Sequence, residues 1–248
     1  MVFPKVLCSL TTFSPKGFSW QAKLEEIRAL RLNEFALFLT GLKDRERYEL
    51  YRELLILKQE INFEIPFVHA TSEMTDDDYL FLEENFAVKA FNLHPTRYYP
   101  LAFPLSERSR SKIFIENATL TGGGLAPEDL KGFAGICFDL SHCEDERSKD
   151  PNSYGTFSSL TNKAIVGANH ISSVPVINES RKRIHAQSQH YFSDLQAFNY
   201  IESYSPEFFG DYCAIELEDP IHTQLKVKEY VEDIIRMNLM GEDVKKVA

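Results

Sequence analysis

Residues 135–142 read GICFDLSH. The run 135–140 is apolar at every position except Asp139, is too short for a helix, and shows no alternation of polar and apolar residues. A strand of that kind is covered on both faces, as in a parallel sheet flanked by helices. It ends in a carboxylate, and an imidazole, His142, follows three residues later. Similar runs recur at 6–10 (VLCSL), 34–40 (EFALFLT), 65–69 (IPFVH), 88–94 (VKAFNLH), 112–117 (KIFIEN), 163–170 (KAIVGANH) and 212–217 (YCAIEL). Segments of helical periodicity lie between them. They are 21–32, with Leu24, Ile27 and Leu30 in step; 45–59, with Tyr48, Tyr51, Leu54 and Leu55 on one face; 76–85, capped by Thr75; a short helix at 127–130; 189–203; and a closing helix at 224–239. Only a weak helical signal precedes residue 163, and 171–188 reads as a long, irregular, mobile loop. Eight strand-like runs in 248 residues predict one α/β domain over 1–248, a (β/α)8 TIM barrel of parallel strands. An open doubly wound sheet would want a GxGxxG turn, which is missing.

Composition narrows the function. With 37 Asp and Glu against 27 Lys and Arg the net charge is −10, so no broad basic field meets a nucleic-acid backbone. No apolar run approaches the roughly 20 residues that cross a bilayer. The N-terminus, MVFPK, enters a strand without a signal-peptide layout, which leads us to expect a cytoplasmic protein. The four cysteines lack CxxC spacing; Cys137 and Cys213 sit in apolar strands as small hydrophobes, and Cys143 has no partner thiol nearby.

The ionisable residues at the strand ends carry the functional signal. They are His69, His94, Glu116, Asp139 with His142, His170 and Glu216. In a barrel these ends converge on one face, where active sites are built. Four of the seven histidines belong to this set, while His185 and His190 lie in the loop after the seventh run and His222 stands apart. A single strand-end histidine is usually structural, and a strand-end carboxylate often caps the next helix. Successive ends sharing the property are better explained by a divalent metal, whose charge offsets the cost of gathering Glu116, Asp139 and Glu216. Mixed N/O donors suit Mn²⁺, Co²⁺, Zn²⁺ or Mg²⁺.

The segments IPFVHA (65–70), FNLHP (91–95), IFIEN (113–117), FDLSH (138–142), ANHIS (168–172) and IELEDP (215–220) resemble the xylose isomerase-like TIM-barrel superfamily. That superfamily holds sugar isomerases and epimerases, related dehydratases and endonuclease IV-type DNA-repair hydrolases. The resemblance implies that Glu116, Asp139, His170 and Glu216 bind one divalent metal. In the isomerase and epimerase branch it implies that Glu116 and Glu216 pass a proton off and onto a sugar or sugar-phosphate carbon through a metal-stabilised enediolate, while His142 contacts substrate oxygens. Arg181, Lys182 or Arg183 would neutralise a phosphate or the enediolate; a solvated loop is the plainer reading of that run. The hydrolase branch, a zinc phosphodiesterase acting on abasic DNA, implies instead a multi-metal cluster with His69, His94, His142 and His185 as further ligands. There Arg183 stands where that branch has a carboxylate, and an Arg cannot ligate a cation. Of the basic residues only Lys112, Arg97 with Arg108 and Arg110, and the 181–183 run are placed for phosphates. Sugar chemistry is therefore favoured, and a catalytically silent barrel with a binding role is the third alternative. Substrate and oligomeric state stay open.

Smaller signals each carry two readings. Gly122–Gly124 form a phosphate cradle or a flexible rim. Phe13, Phe18 and Trp20 wall a sugar site or simply pack. Tyr98 and Tyr99 line the pocket or shape its loop. Lys245 and Lys246 read as a tail.

Overall fold

The computed structural model describes residues 3–14, 18–117, 125–149, 164–179, 182–185 and 187–247. Its strands are β1 (Lys5–Leu7), β2 (Ser9–Thr11), β3 (Ala36–Phe38), β4 (Phe67–His69), β5 (Ala90–Leu93), β6 (Ile113–Glu116), β7 (Gly135–Asp139), β8 (Val166–Ile171), β9 (Val176–Glu179), β10 (Lys182–His185) and β11 (Tyr212–Ile215). The helices are α1 (Trp20–Leu30), α2 (Asp44–Glu60), α3 (Asp76–Phe86), α4 (Glu107–Arg110), α5 (Leu140–Lys149) and α6 (Ile221–Val247). Short 3₁₀ turns occupy Pro127–Leu130, Leu195–Ser203 and Pro206–Phe208.

β1 and β2 are halves of one strand interrupted at Cys8. β1 pairs in parallel with β11 and β2 with β3, and the Cys8 carbonyl between them accepts from Ala36 N at 2.8 Å. The order β1-β11-β8-β7-β6-β5-β4-β3-β2 therefore closes on itself as an eight-stranded parallel α/β barrel, as expected. Inside, Leu7, Ala36, Phe38, Phe67, Ala90, Cys137, Ala168 and Ala214 form an apolar layer, with Phe114 and Tyr212 against it. Outside, Leu37, Val68, Phe91, Ile115, Phe138 and Ile215 meet the helices in a second, larger core. Gly167 is required by close approach, because a Cβ there would lie 2.0 Å from the Phe114 ring.

Four segments depart from the sequence reading, each for a local reason. α5 starts directly after β7, where periodicity is weak, because Asp139 caps it: Oδ1 accepts from His142 N at 2.8 Å and from the Ser141 hydroxyl at 2.5 Å. The helix expected at 189–203 begins only at Leu195, where Asp194 accepts from Ala197 N; Gln189 instead bridges Ser173. The supposedly irregular 171–188 contains the antiparallel hairpin β9–β10, a ladder of backbone hydrogen bonds that Val176, Ile177 and Ile184 suit. Lys245 and Lys246 are not a tail, since α6 runs to Val247. Thr75 precedes α3 as expected, although it is the Asp78 carboxylate that reaches back to Thr75 N at 2.9 Å. Among the described residues no helix is long and apolar enough to cross a membrane.

The barrel is locked where the last helix meets the first strand. Gln224, fully buried on α6, accepts from Ser9 N at 2.7 Å and donates to the carbonyls of Ser9, Leu217 and Asp219. Gln224→Leu strands a buried N–H, and we expect a loss of about 2–4 kcal/mol in the denaturant-unfolding free energy. A loss below about 1 kcal/mol would show that the lock is unimportant.

Lys23 on α1 is also buried, its ammonium donating to the carbonyl and hydroxyl of Thr11. Burial pushes its pKa down to about 8, against weaker opposing pulls from Glu218, Asp219 and Glu26. The unfolded chain holds that proton up to a pKa of about 10.4, so this group makes the wild type gain stability as pH climbs from about 8 towards 10. Relative to Lys23→Met, the wild type should gain about 2–3 kcal/mol between pH 7 and pH 10.5. Paired denaturant titrations at the two pH values check this; a constant difference would refute it.

Candidate metal centre

Period-two geometry builds the site. Two residues above the interior apolar layer each strand presents its next inward side chain: His69 above Phe67, Asn92 above Ala90, Glu116 above Phe114, Asp139 above Cys137, His170 above Ala168 and Glu216 above Ala214. Register then sets neighbours, with Asp139 beside His170 and His170 beside Ala214. The site opens into a cavity of about 750 Å³ that Glu116, Glu216, His69, His94, His142 and His190 line.

His170 is the centre of the cluster. Fully buried over the rings of Phe38 and Phe67, it points Nδ1 at three carboxylates. Glu116 Oε2 is 3.3 Å away, Glu216 Oε2 3.5 Å and Asp139 Oδ2 4.0 Å. Nδ1, Asp139 Oδ2 and Glu216 Oε2 are nevertheless buried without a partner at hydrogen-bond geometry. One imidazole N–H cannot serve three acceptors, whereas a divalent cation among them can. The N/O donor set fits such an ion, and Asp139, His170 and Glu216 offer atoms within 4.8 Å of one another, as do His69, Glu116 and His170.

Glu116 is the most crowded carboxylate. Its Oε2 accepts from Asn92 Nδ2 at 2.8 Å and has His69 Nε2 at 3.2 Å and His94 Nε2 at 3.8 Å. Burial alone would raise its pKa, but the charges of His170 and His94, with the His69 ring close by, hold it well below the ordinary carboxylate range. Asp139 goes the other way. Burial raises it, and Glu116 and Glu216 add to the rise against the pull of His142 and His170. Glu216 is lowered, His190 and His170 outweighing burial. His142 sits between Asp139 (3.5 Å) and Asp145 (3.6 Å), and the Asp139 charge is the main reason its pKa rises to about 10. Asp139 thus holds both roles the sequence offered: Oδ1 caps α5 while Oδ2 faces the cluster.

Glu116, Asp139, His142, His170 and Glu216 come together, with His69 and His94 against Glu116. Arg183 and His185 fall on β10 of the hairpin, their side chains outside the described residues; Arg181 and Gly122–Gly124 lie outside them as well. Of the basic residues weighed for phosphates, Arg97 faces Asp129 at 3.3 Å, and Arg108 and Lys112 share Glu83. Of the aromatic signals, Trp20 is buried in the core, Phe13 and Tyr99 line the cavity, and Tyr98 packs under Arg97. All four cysteines are buried and unbridged.

Two contributors escaped the sequence reading. His190 brings Nδ1 to 3.7 Å from Glu216 Oε1, and its ring centre is 6.2 Å from that of His142. It lies on an irregular segment, and only the chain's scarcity of histidines could have marked it. Asn92, the hydrogen-bond donor to Glu116, was legible as the inward position two residues before His94.

No family model matches the chain, and no curated protein matches it. Among solved structures it is similar to the probable 3-DHS dehydratase AsbF of Bacillus anthracis, involved in petrobactin synthesis (12% identity over 94% of this chain and 98% of that one, TM-score 0.43). A xylose isomerase domain protein of Alicyclobacillus acidocaldarius aligns at 11% identity over 96% and 99% (TM-score 0.49). The 3-keto-D-glucoside 4-epimerase YcjR of E. coli aligns at 11% over 93% and 98% (TM-score 0.43). At such distances the chemistry has to be read from this chain's own side chains.

Proposed function

We propose that this protein is a divalent-cation-dependent isomerase or epimerase of a small sugar-like substrate. The observation that carries the reading is the convergence of Glu116, Asp139 and Glu216 on one unpartnered, buried His170 nitrogen, two of those carboxylates also lining a ligand-sized cavity. Glu116, Asp139, His170 and Glu216 would hold the cation. When bound, such an ion polarises neighbouring substrate oxygens and makes the C–H bond beside them more acidic.

The chain's own residues supply the rest. Glu116 and Glu216 both face the cavity and both lie within 3.5 Å of the same nitrogen, so one takes a proton from carbon and the other returns it. Asn92 and His69 fix the Glu116 carboxylate from the barrel side. His142, braced by Asp139 and Asp145, lines the cavity and would contact a substrate oxygen there. Asp145 is tied in turn to Ser188 N at 2.7 Å, which keeps this flank of the mouth in place.

A phosphodiesterase is the second reading, favoured by His69 and His94 against Glu116, where a further cation would find donors. The acidic lining opposes it. Solvent exchange separates the two. In D₂O with Mn²⁺, the protein should place deuterium on the carbon next to the carbonyl of a ketose, read by NMR, and a chelator should stop it. Nicking of abasic duplex DNA without exchange would establish the hydrolase. Neither activity with any of the four cations would leave a binding barrel.

A further inference from the structure

Glu216 stands at the seam where the barrel closes. The register between β1 and β11 ends at Leu7 opposite Ala214, and β2 then pairs with β3 instead. On the β8 side Glu216 is still held by the backbone, its N–H donating to Ile171 O at 2.9 Å. On the β2 side, side chains bridge the gap. Ser9 N, two residues past Leu7, donates to Gln224 Oε1 rather than to a strand. The Thr11 hydroxyl donates to Leu217 O at 3.0 Å, a carbonyl that Gln224 Nε2 also reaches at 3.2 Å. Thr11, Glu216, Leu217 and Glu218 all line the cavity, so this bridge is part of its wall.

Behind Thr11 lies Lys23 of α1, only 1% exposed. Its ammonium donates to the Thr11 carbonyl at 3.4 Å and to the Thr11 hydroxyl. The charges of Glu218, Asp219 and Glu26 surround it. Of these, Asp219 is engaged by Phe192 N, and Glu26 by Ile221 N and His222. A buried ammonium whose hydrogen bonds go to a neutral residue is costly, so packing alone does not account for a lysine here. An ammonium can only donate. With a lone pair of the Thr11 hydroxyl filled by that charged donor, the single hydroxyl proton is committed to Leu217 O.

We infer that Lys23 is a positioning residue, which through the Thr11 hydroxyl and the Leu217 carbonyl sets the place of Glu216 at the barrel seam without itself touching substrate or cation. The inference rests on the proposal above that Glu216 is a ligand of the cation, and it names what holds that ligand on the side where no ladder does. Groups that orient a ligand from behind are worth about 10–100-fold in metal affinity.

The test is calorimetric titration of the whole chain with Mn²⁺ at pH 7, with far-UV circular dichroism as the folding control. Lys23→Met and Thr11→Val should each weaken Mn²⁺ binding about tenfold or more. The sign is informative, because losing a nearby positive charge would by itself tighten the binding of a cation. Thr11→Ser, which keeps the hydroxyl, should retain the wild-type affinity. The double variant Lys23→Met/Thr11→Val should bind no worse than Thr11→Val alone, since the two residues act in series, whereas two independent losses of packing would add. Wild-type affinity in either single variant, tighter binding in Lys23→Met, or additive losses in the double variant would overturn the inference while leaving the cation site standing. A wild type that binds no Mn²⁺ would remove the cation reading and this inference with it.

Discussion

Glu216→Gln is expected to lower cation-dependent solvent exchange by about a thousandfold or more while leaving the barrel folded. The substitution conserves shape, so packing around the side chain is kept. It removes a base whose contribution is typically about 10²–10⁴. It also removes one of the three carboxylates that face His170 Nδ1, here from 3.5 Å. Exchange rates by NMR, with far-UV circular dichroism as the folding control, measure both halves. Exchange within about tenfold of wild type would remove Glu216 from the proton path. Loss of the fold would instead make its role structural.

The second large effect concerns stability. The proposed ligands come from β6, β7 and β8 and from the residue just after β11, so a cation held by them ties together half of the barrel's circumference. At a free concentration of 100 times its dissociation constant, Mn²⁺ should stabilise the native state by about 2.7 kcal/mol. For a chain of this size that is a rise of roughly 5–10 °C in Tm. His170→Gln should abolish the rise, because it removes the nitrogen on which the three carboxylates converge. Differential scanning calorimetry with and without Mn²⁺ checks it. A Tm that ignores the ion, or a His170→Gln variant that still responds, would contradict the site.

Much of the barrel, and of the polar residues gathered at its strand ends, is legible in the sequence for a physical reason. A strand shows alternate residues to the barrel interior, so an ionisable residue ending an apolar run has little choice of direction. Glu116, Asp139, His170 and Glu216 were readable on that ground, and so was the closed parallel topology. What escaped depends on side-chain hydrogen bonds that override periodicity. α5 carries LSHCEDERSK, too polar to look like a core helix, and starts where it does because Asp139 caps it. The 189–203 segment divides at Asp194 because that carboxylate caps Leu195–Ser203 while Gln189 is held by Ser173. His190 reaches Glu216 through this irregular stretch, its carbonyl accepting from Glu218 N at 2.6 Å, and no repeat in the sequence announces that contact. The hairpin β9–β10 was written in Val176, Ile177 and Ile184, but the charged residues between them read as loop.

Elemental analysis of the purified chain after reloading with Mn²⁺ and Zn²⁺ tests the central claim most directly. One ion per chain is predicted, lost in His170→Gln and in Glu216→Gln and retained in His94→Ala. Two or three zinc ions per chain, part of them lost in His69→Ala or His94→Ala, would contradict a single-cation isomerase and turn the reading towards phosphodiester hydrolysis; a chain that takes up no ion would contradict both.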